Sequence, residues 1–371
     1  MRASNRVSHG LVLQVVSSDA LAGTERHVIG LTEALRGIGC DARILSRPGA
    51  HAVQAEARRR SIPEITPVAA WRNAKVVHAH DGVSSAAASL FVVSRDAVFV
   101  RSQHFLEPGS ATRRKRLGQL SLAVHRQINR RVDQYVAVSE AARFAALSRG
   151  DIDDARVVVV PSGIHVAPEG NVASARAWRR RASSCPTVVS AGRLEAERRF
   201  DVLLRAVPLV LRESGRCRFV VAGDGSHADA LRGLAAKLSV DRYITWTGWL
   251  DDIGPALEQA HIYVNTWPHE GFGMATAEAM SYELPAIVTS SGAAAELVSD
   301  GVSGRVIPPD DHVALAQAIL GLLSNPVSAQ RLGERARCQA HDYSIHRSAT
   351  AMLAVYDAAR RSRAARPTKQ R

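Results

Sequence analysis

Residues 262–280, IYVNTWPHEGFGMATAEAM, pass from a short β-branched run through a turn holding Trp267, Pro268, Gly271 and Gly273 into a segment of helix formers. A strand that hands over to a helix across two glycines exposes the unpaired N–H groups of the helix start and the positive end of its dipole. Such a terminus is a site for phosphate, and here for a diphosphate. Two carboxylates bracket it. Glu270 precedes the helix and Glu278 lies within it, up to about 12 Å apart along the axis if both were helical. A nucleotide-sugar has the matching layout, with a hydroxyl-rich sugar at one end, a diphosphate in the middle and a ribose diol at the other. Carboxylates are good acceptors for paired hydroxyls. Taken singly, Glu270 suits a helix cap and Glu278 a solvated helix position; jointly, with the glycines, they point to a ligand.

Outward from this segment the same alternation repeats. In the second half, TVVSAG, RFVVAGDG, YITWTG and AIVTS are further short strands, with helical patterns over FDVLLRAVPLVLRES and HADALRGLAAKLS. In the first half, LVLQVVS, DARILS, AKVVHAH, AVFVRS, QYVAVS and VVVVPSG alternate with stretches such as GTERHVIGLTEALRGIG, whose apolar residues recur every three to four positions. Near-continuous apolar strands with helical crossovers predict parallel sheets covered on both faces. The fold class is therefore α/β: two doubly wound Rossmann-like domains in tandem, with ligands expected at the carboxyl ends of the strands and in a cleft between the domains. The boundaries read as 1–165 for the first domain, a polar Ala/Arg/Ser-rich linker at 166–185, 186–345 for the second, and a C-terminal helix with a basic tail at 346–371, the helix returning to the first domain. The segment VVSAGRLEAERRFDVLL (188–204) ends a strand at Gly192 and places Arg193 and Arg198 at the carboxyl edge of the second sheet, where anions bind.

The chain has 371 residues and a net charge of +13, which suits an anionic partner (a phosphate-rich substrate, an anionic membrane surface or nucleic acid) or, for the tail and 175–182, an arginine-rich solvated surface. The arginine clusters lack interleaved aromatics, and no finger or helix-turn-helix signature accompanies them, so nucleic acid is not expected. Four scattered cysteines (Cys40, Cys185, Cys217, Cys338) without CxxC spacing suggest neither a disulfide framework nor a zinc site. No apolar run approaches a membrane span, and the N-terminal stretch is a poor signal peptide, which makes a cytoplasmic location the expectation. An Asp-x-Asp pattern in DIDD (151–154) falls in a polar loop and reads as a solvated turn, so no metal and no other cofactor is expected.

The ordered set of these segments resembles one family, the retaining family-4 glycosyltransferases (glycosyl transferases group 1) with the two-Rossmann GT-B fold. The resemblance covers nearly the whole chain. AGTERHVIGLTEALRGIG is similar to the family's Gly-Gly-x-Glu-Arg first loop, with Ala22 for the first glycine and Gly23 retained. VVHAHDG and VFVRSQHF resemble its two histidine-bearing strands, and YVAVSEAAR and VVVVPSGIH the segments leading out of its first domain. GRLEAER resembles its Gly-Arg-Leu loop, with Arg198 in place of lysine, while VVAGDGSHADAL, WTGWLDD and EGFGMATAEAM come in the family's order. Two positions depart: Glu283 and Ala293 stand where the family usually has glycine. Glu283 then either alters the base pocket or is exposed.

The resemblance implies a role for each matching residue. Glu270 and the backbone of Gly271, Phe272 and Gly273 would bind the donor sugar, and Met274 and Ala275 would offer N–H groups to the phosphates. Glu278 would hold the ribose. Arg193 and Arg198 would neutralise the leaving diphosphate, Gly23 would let the first loop approach it, and His104 would stand by the sugar near the reacting centre; from its own context His104 is equally a structural histidine. The implied reaction is transfer of a hexose from a nucleoside-diphosphate sugar to a hydroxyl acceptor with retention, in bacterial cell-surface polysaccharide or glycolipid synthesis. A UDP-sugar is favoured as donor with GDP-mannose as competitor, and the acceptor is a saccharide or lipid-linked saccharide. A phosphorylase or disaccharide-phosphate synthase of the same fold, a nucleotide-sugar 2-epimerase, and a nonenzymatic anion- or nucleic-acid-binding protein stay open as alternatives. The basic stretch 111–131, with Arg113, Arg114, Lys115 and Arg116, is expected to seat the chain peripherally on the inner face of an anionic membrane.

Overall fold

The computed structural model describes residues 10–92, 97–106, 118–181 and 184–365. The chain divides into two units, one formed by residues up to Ile164 together with those from Ser344 onward, the other by His165–Tyr343. In the first unit β1 (Leu11–Val16), β2 (Ala42–Ser46), β3 (Ala74–Ala79), β4 (Val98–Gln103), β5 (Gln134–Ala137) and β6 (Val157–Val159) form a six-stranded sheet in the order β2-β1-β3-β4-β5-β6. In the second, β7 (Thr187–Ala191), β8 (Arg218–Ala222), β9 (Ile244–Gly248), β10 (Ile262–Asn265), β11 (Ala286–Thr289) and β12 (Gly304–Ile307) run in the order β12-β11-β10-β7-β8-β9. Every named neighbouring pair of strands is parallel. Each sheet is therefore a doubly wound Rossmann-like α/β layer.

The sequence explains why. All six residues of β1, LVLQVV, are buried, as both faces of a central parallel strand must be. Helix Phe200–Ser214 buries Phe200, Leu203, Leu204, Val207 and Val210 on one stripe against the second sheet. The final helix, Ile345–Ala365, buries Ile345, Ser348, Ala349, Met352, Val355, Tyr356 and Ala359, a three-and-four spacing that marks one helical face. That face packs with Val12, Leu31, Leu35, Val76 and Val100 in the core of the first unit, and Arg363 pairs with the buried Asp133 at 2.9 Å.

The stretch expected as a linker is mostly ordered helix. Glu169–Arg181 forms a helix that buries Val172 and Ala175 and belongs to the second unit. Its polarity misled because most of its surface faces water; what fixes it is Arg176, which grips the carboxylate of Glu283, with Nε donating to Oε2 at 2.6 Å, and Asn171, which donates to Glu258 at 2.6 Å. Strand β12 had no counterpart among the expected strands, being only four residues, GRVI, at a sheet edge.

Of the basic stretch 111–131, residues 111–117 lie outside the described residues, and with them Arg113, Arg114, Lys115 and Arg116. The helix Gly118–Arg131 turns Ile128 and Asn129 inward and leaves Arg126 and Arg130 exposed. No described helix is long and apolar enough to cross a membrane.

Candidate active site

In the second unit the carboxyl ends of β7 and β10 bring the two segments singled out in the sequence to one place. β10 ends at Asn265, whose side chain organises the turn after it. Its Oδ1 accepts from the Trp267 backbone N–H at 3.0 Å, and its Nδ2 donates to Glu270 Oε2 at 3.3 Å and to Thr276 Oγ1 at 3.1 Å. The turn is held from behind by Ala293, whose N–H donates to the Glu270 carbonyl at 2.8 Å. Glu270 is half-buried; burial raises its pKa, while the Arg198 guanidinium, Asn265 and the Gly271 N–H pull it back toward the ionised form.

The next helix, Met274–Ser281, starts at Gly273 with φ +99 and no side chain capping it. A side chain at Gly273 would be strained at that φ and would meet Leu297 Cδ1 at 3.1 Å, so the tight entry requires glycine. The first-turn N–H groups of Met274 and Ala275 have no acceptor inside the helix, as at any helix start. Phe272 turns its ring into the protein, 6% exposed and edge-on to Tyr343 with centroids 5.6 Å apart, so the turn offers a ligand its backbone. Glu278 stands half-buried one turn further along.

Opposite in sequence but adjacent in space, the loop after β7 carries Arg193, exposed, and Arg198, half-buried. The Arg198 guanidinium carbon lies 3.9 Å from the centroid of the Trp267 ring, and Thr266 Oγ1 donates to the Arg198 carbonyl at 3.0 Å. Burial lowers the Arg198 pKa and the Glu270 carboxylate raises it; an arginine nonetheless keeps its charge. Its side chain donates no hydrogen bond to any described residue, and its buried Nε is without a partner. Arg199 next to it is fully used, paired with Asp201 at 3.1 Å and with Asp310. The structure thus brings together Arg193, Arg198, Glu270, Gly271, Phe272, Gly273, Met274, Ala275 and Glu278.

Gly23 and His104 belong to the other unit. Gly23 is exposed and opens the helix Gly23–Gly37, where the Ala22 N–H donates to Glu25 Oε2 at 3.2 Å and no side chain caps the start. His104 lies just after β4 in a buried polar chain. Gln14 Oε1 accepts from His80 Nε2 at 2.7 Å, so the His80 Nδ1 lone pair accepts from His104 Nε2 at 3.0 Å. Gln14 Nε2 donates to the Tyr356 hydroxyl at 2.9 Å, which donates in turn to His78 Nδ1 at 2.8 Å, and His78 Nε2 donates to Ser102 Oγ at 2.7 Å. These tautomers are set by the amide orientation of Gln14. His27 Nδ1 accepts from the Gly163 N–H at 3.2 Å. Burial keeps every imidazole neutral, with the pKa of His27 lowered to about 4 and of His104 to about 3, and those of His78 and His80 well below the ordinary value. His104 Nδ1 is left as an acceptor with no partner among the described residues.

Sequence reasoning missed Asn265, Trp267 and the Ala293 N–H. Only Asn265 carried a signal, a polar residue ending an apolar strand. Of the two readings of Glu283, exposure is excluded: the residue is 6% exposed, at φ +60, with its carboxylate bound by Arg176. The Asp-x-Asp segment is taken up structurally. Asp151 accepts from Asn129 at 2.7 Å, Asp153 caps a short turn through the Ala155 N–H at 3.1 Å, and Asp154 pairs with Arg143 at 2.7 Å. Among the described residues no group of three or more His, Cys, Asp or Glu side chains is placed to hold a metal ion.

Two family profiles match the chain. One, described as Glycosyltransferase Family 4, matches residues 21–168, and the other, Glycosyl transferases group 1, matches residues 185–325. Among similar proteins are a glycogen synthase of Mycobacterium tuberculosis, 28% identical over 78% of this chain and 70% of that protein, and a phosphatidyl-myo-inositol mannosyltransferase of Mycolicibacterium smegmatis, 24% identical over 92% of this chain and 91% of the relative. The fold is shared with Anabaena Alr3699/HepE, solved in complex with UDP-glucose (TM-score 0.78, 18% identity, 93% of this chain and 100% of that one). It is shared also with a sucrose-phosphate synthase from Thermosynechococcus elongatus (TM-score 0.75, 18% identity, 94% and 98%).

Proposed function

From the premise that this chain belongs to the family-4, group 1 glycosyltransferases and has their GT-B fold, we propose that it moves a hexose from a nucleoside-diphosphate sugar to a hydroxyl acceptor with retention of configuration. The observation that carries this reading is the Arg198 guanidinium, charged, half-buried against Trp267 and donating to no described residue, at the same strand ends as the uncapped helix start after Gly273. Cleaving the bond between the anomeric carbon and the diphosphate oxygen puts negative charge on the leaving phosphate. Arg198 and the N–H groups of Met274 and Ala275 are preorganised donors for that charge, with the exposed Arg193 adding its own beside them, and preorganised donors act more strongly in the transition state than in the ground state. No divalent ion is required by this arrangement, since the arginines supply its charge. Glu270 takes the sugar hydroxyls and Glu278 the ribose diol. In this reading the acceptor hydroxyl attacks from the face the diphosphate leaves, which retains configuration.

A UDP-sugar is the favoured donor and GDP-mannose its competitor; one structural neighbour was crystallised with UDP-glucose and one relative is named as a mannosyltransferase. The acceptor is a saccharide or a lipid-linked saccharide of the bacterial cell surface, reached from the cytoplasmic side, with basic residues of 111–131 resting on anionic lipid. The relative named for phosphatidyl-myo-inositol supports a lipid-borne acceptor. Thermal denaturation against a panel of nucleoside diphosphates and their sugars tests the donor reading. A cognate ligand at 100 times its Kd stabilises by about 2.7 kcal/mol, and a panel without a shift contradicts it.

A further inference from the structure

An arginine can be fixed in a protein by a carboxylate or by an aromatic ring, and the two leave different things free. A carboxylate uses up the N–H donors in the guanidinium plane; a ring takes the face of the plane and leaves the donors at its edge. Arg198 is fixed in the second way. Its guanidinium carbon stands 3.9 Å from the Trp267 ring centroid, and none of its donors reaches an acceptor among the described residues. Gly192, at φ +155, leaves room on the backbone beside it: a Cβ there would lie 2.8 Å from an Arg198 terminal nitrogen.

Trp267 is itself immobilised. The residue is 8% exposed. Its backbone N–H donates to Asn265 Oδ1 at 3.0 Å and its carbonyl accepts from Thr289 Oγ1 at 3.2 Å. The neighbouring Thr266 hydroxyl donates to the Arg198 carbonyl at 3.0 Å, so residues 266 and 267 hold the backbone and the side chain of the same arginine. Asn265, which anchors Trp267, also donates to Glu270. Asn265 at the end of β10 thus links the ring that carries the Arg198 guanidinium to the Glu270 carboxylate.

We propose that Trp267 is a positioning residue for the diphosphate: its ring fixes the plane of Arg198 by stacking and so presents the guanidinium donors, unspent, to the phosphate oxygens. The assignment of the ligand rests on the donor reading above; the stacking is on its own footing. Trp267 touches no phosphate in this scheme and acts through Arg198.

The test is calorimetric, on the full chain. UDP and GDP are titrated first, and the tighter of the two is carried with its parent nucleoside through Trp267→Phe, Trp267→Leu, Arg198→Gln and the double variant Trp267→Leu/Arg198→Gln. Trp267→Leu is expected to weaken the diphosphate by between about 3-fold and 30-fold, the span of a ring–cation contact from exposed to desolvated, and to leave the nucleoside unchanged. Trp267→Phe, which keeps a ring and loses the indole N–H, is expected to stay within about 3-fold of the parent. In the Arg198→Gln background, Trp267→Leu is expected to cost nothing further. A Trp267→Leu variant that binds the diphosphate as tightly as the parent overturns the proposal. So does one that loses diphosphate and nucleoside in equal proportion, or one that loses as much without Arg198 as with it; either outcome gives Trp267 a merely structural role. A parent protein that binds neither UDP nor GDP overturns the donor reading and this proposal together.

Discussion

At the scale of the residue, the two arginines of the β7 loop differ in what surrounds them. Arg193 is exposed and its field is screened by water, whereas Arg198 is half-buried against an aromatic ring beside Glu270. Arg198→Ala is therefore expected to reduce donor turnover by about 100-fold or more, the usual cost of one preorganised donor, and Arg193→Ala by less. A steady-state assay of donor consumption checks this, and unchanged turnover in the Arg198 variant contradicts the role. That the Gly-Arg-Leu loop and the Glu-Gly-Phe-Gly turn meet at one sheet edge was legible in the sequence because each follows an apolar strand of one parallel sheet; the individual role of each residue came only from the family resemblance. Trp267 was not legible, because stacking on a side chain remote in the chain leaves no local pattern. Glu283 stayed open between an altered base pocket and exposure for a similar reason: only the fold shows Arg176 reaching it from the helix Glu169–Arg181.

At the scale of the element, the strand-to-helix turn is the part proposed to hold the diphosphate. Gly273 at φ +99 lets the chain turn into Met274–Ser281 with no side chain capping its first N–H groups. Gly273→Ala forces a side chain into that conformation and toward Leu297. The expected result is a loss of about 1 to 3 kcal/mol in stability, together with weaker nucleoside diphosphate binding; denaturant titration and calorimetry measure the two, and an unperturbed turn would show neither. Strands were easily read from β-branched runs, and β12 escaped because four edge residues carry too little pattern. The helix Glu169–Arg181 escaped because only Val172 and Ala175 face inward, a stripe too thin to be distinguished from a polar connection.

At the scale of the whole molecule, the chain is two Rossmann-like units with its last helix returned to the first. Tyr356 on that helix enters the buried chain of Gln14, His78, His80 and His104, so the C-terminal segment helps to set the tautomer of a histidine far from it in sequence. This buried chain has a pH signature. The imidazoles protonate at about 6.5 when unfolded, but His27 resists until about 4 and His104 until about 3 because they are buried. A depressed native pKa gives stability that is present above the unfolded value of about 6.5 and is lost as the pH falls through that window toward the native values. The urea midpoint is expected to drop between about pH 7 and pH 5, and to drop less in a His104→Gln variant; a midpoint independent of pH over that range would contradict the neutral cluster.

The central claim is that one donor molecule lies along the second unit with its ribose at Glu278, its diphosphate at the helix start and Arg198, and its sugar at Glu270. Calorimetric titration of Glu270→Gln and Glu278→Gln, each with the free nucleoside diphosphate and with the full donor, tests it most directly. The account predicts that Glu278→Gln weakens both ligands, because the ribose belongs to both, and that Glu270→Gln weakens the full donor while sparing the free diphosphate. Equal losses of diphosphate affinity in the two variants would contradict it.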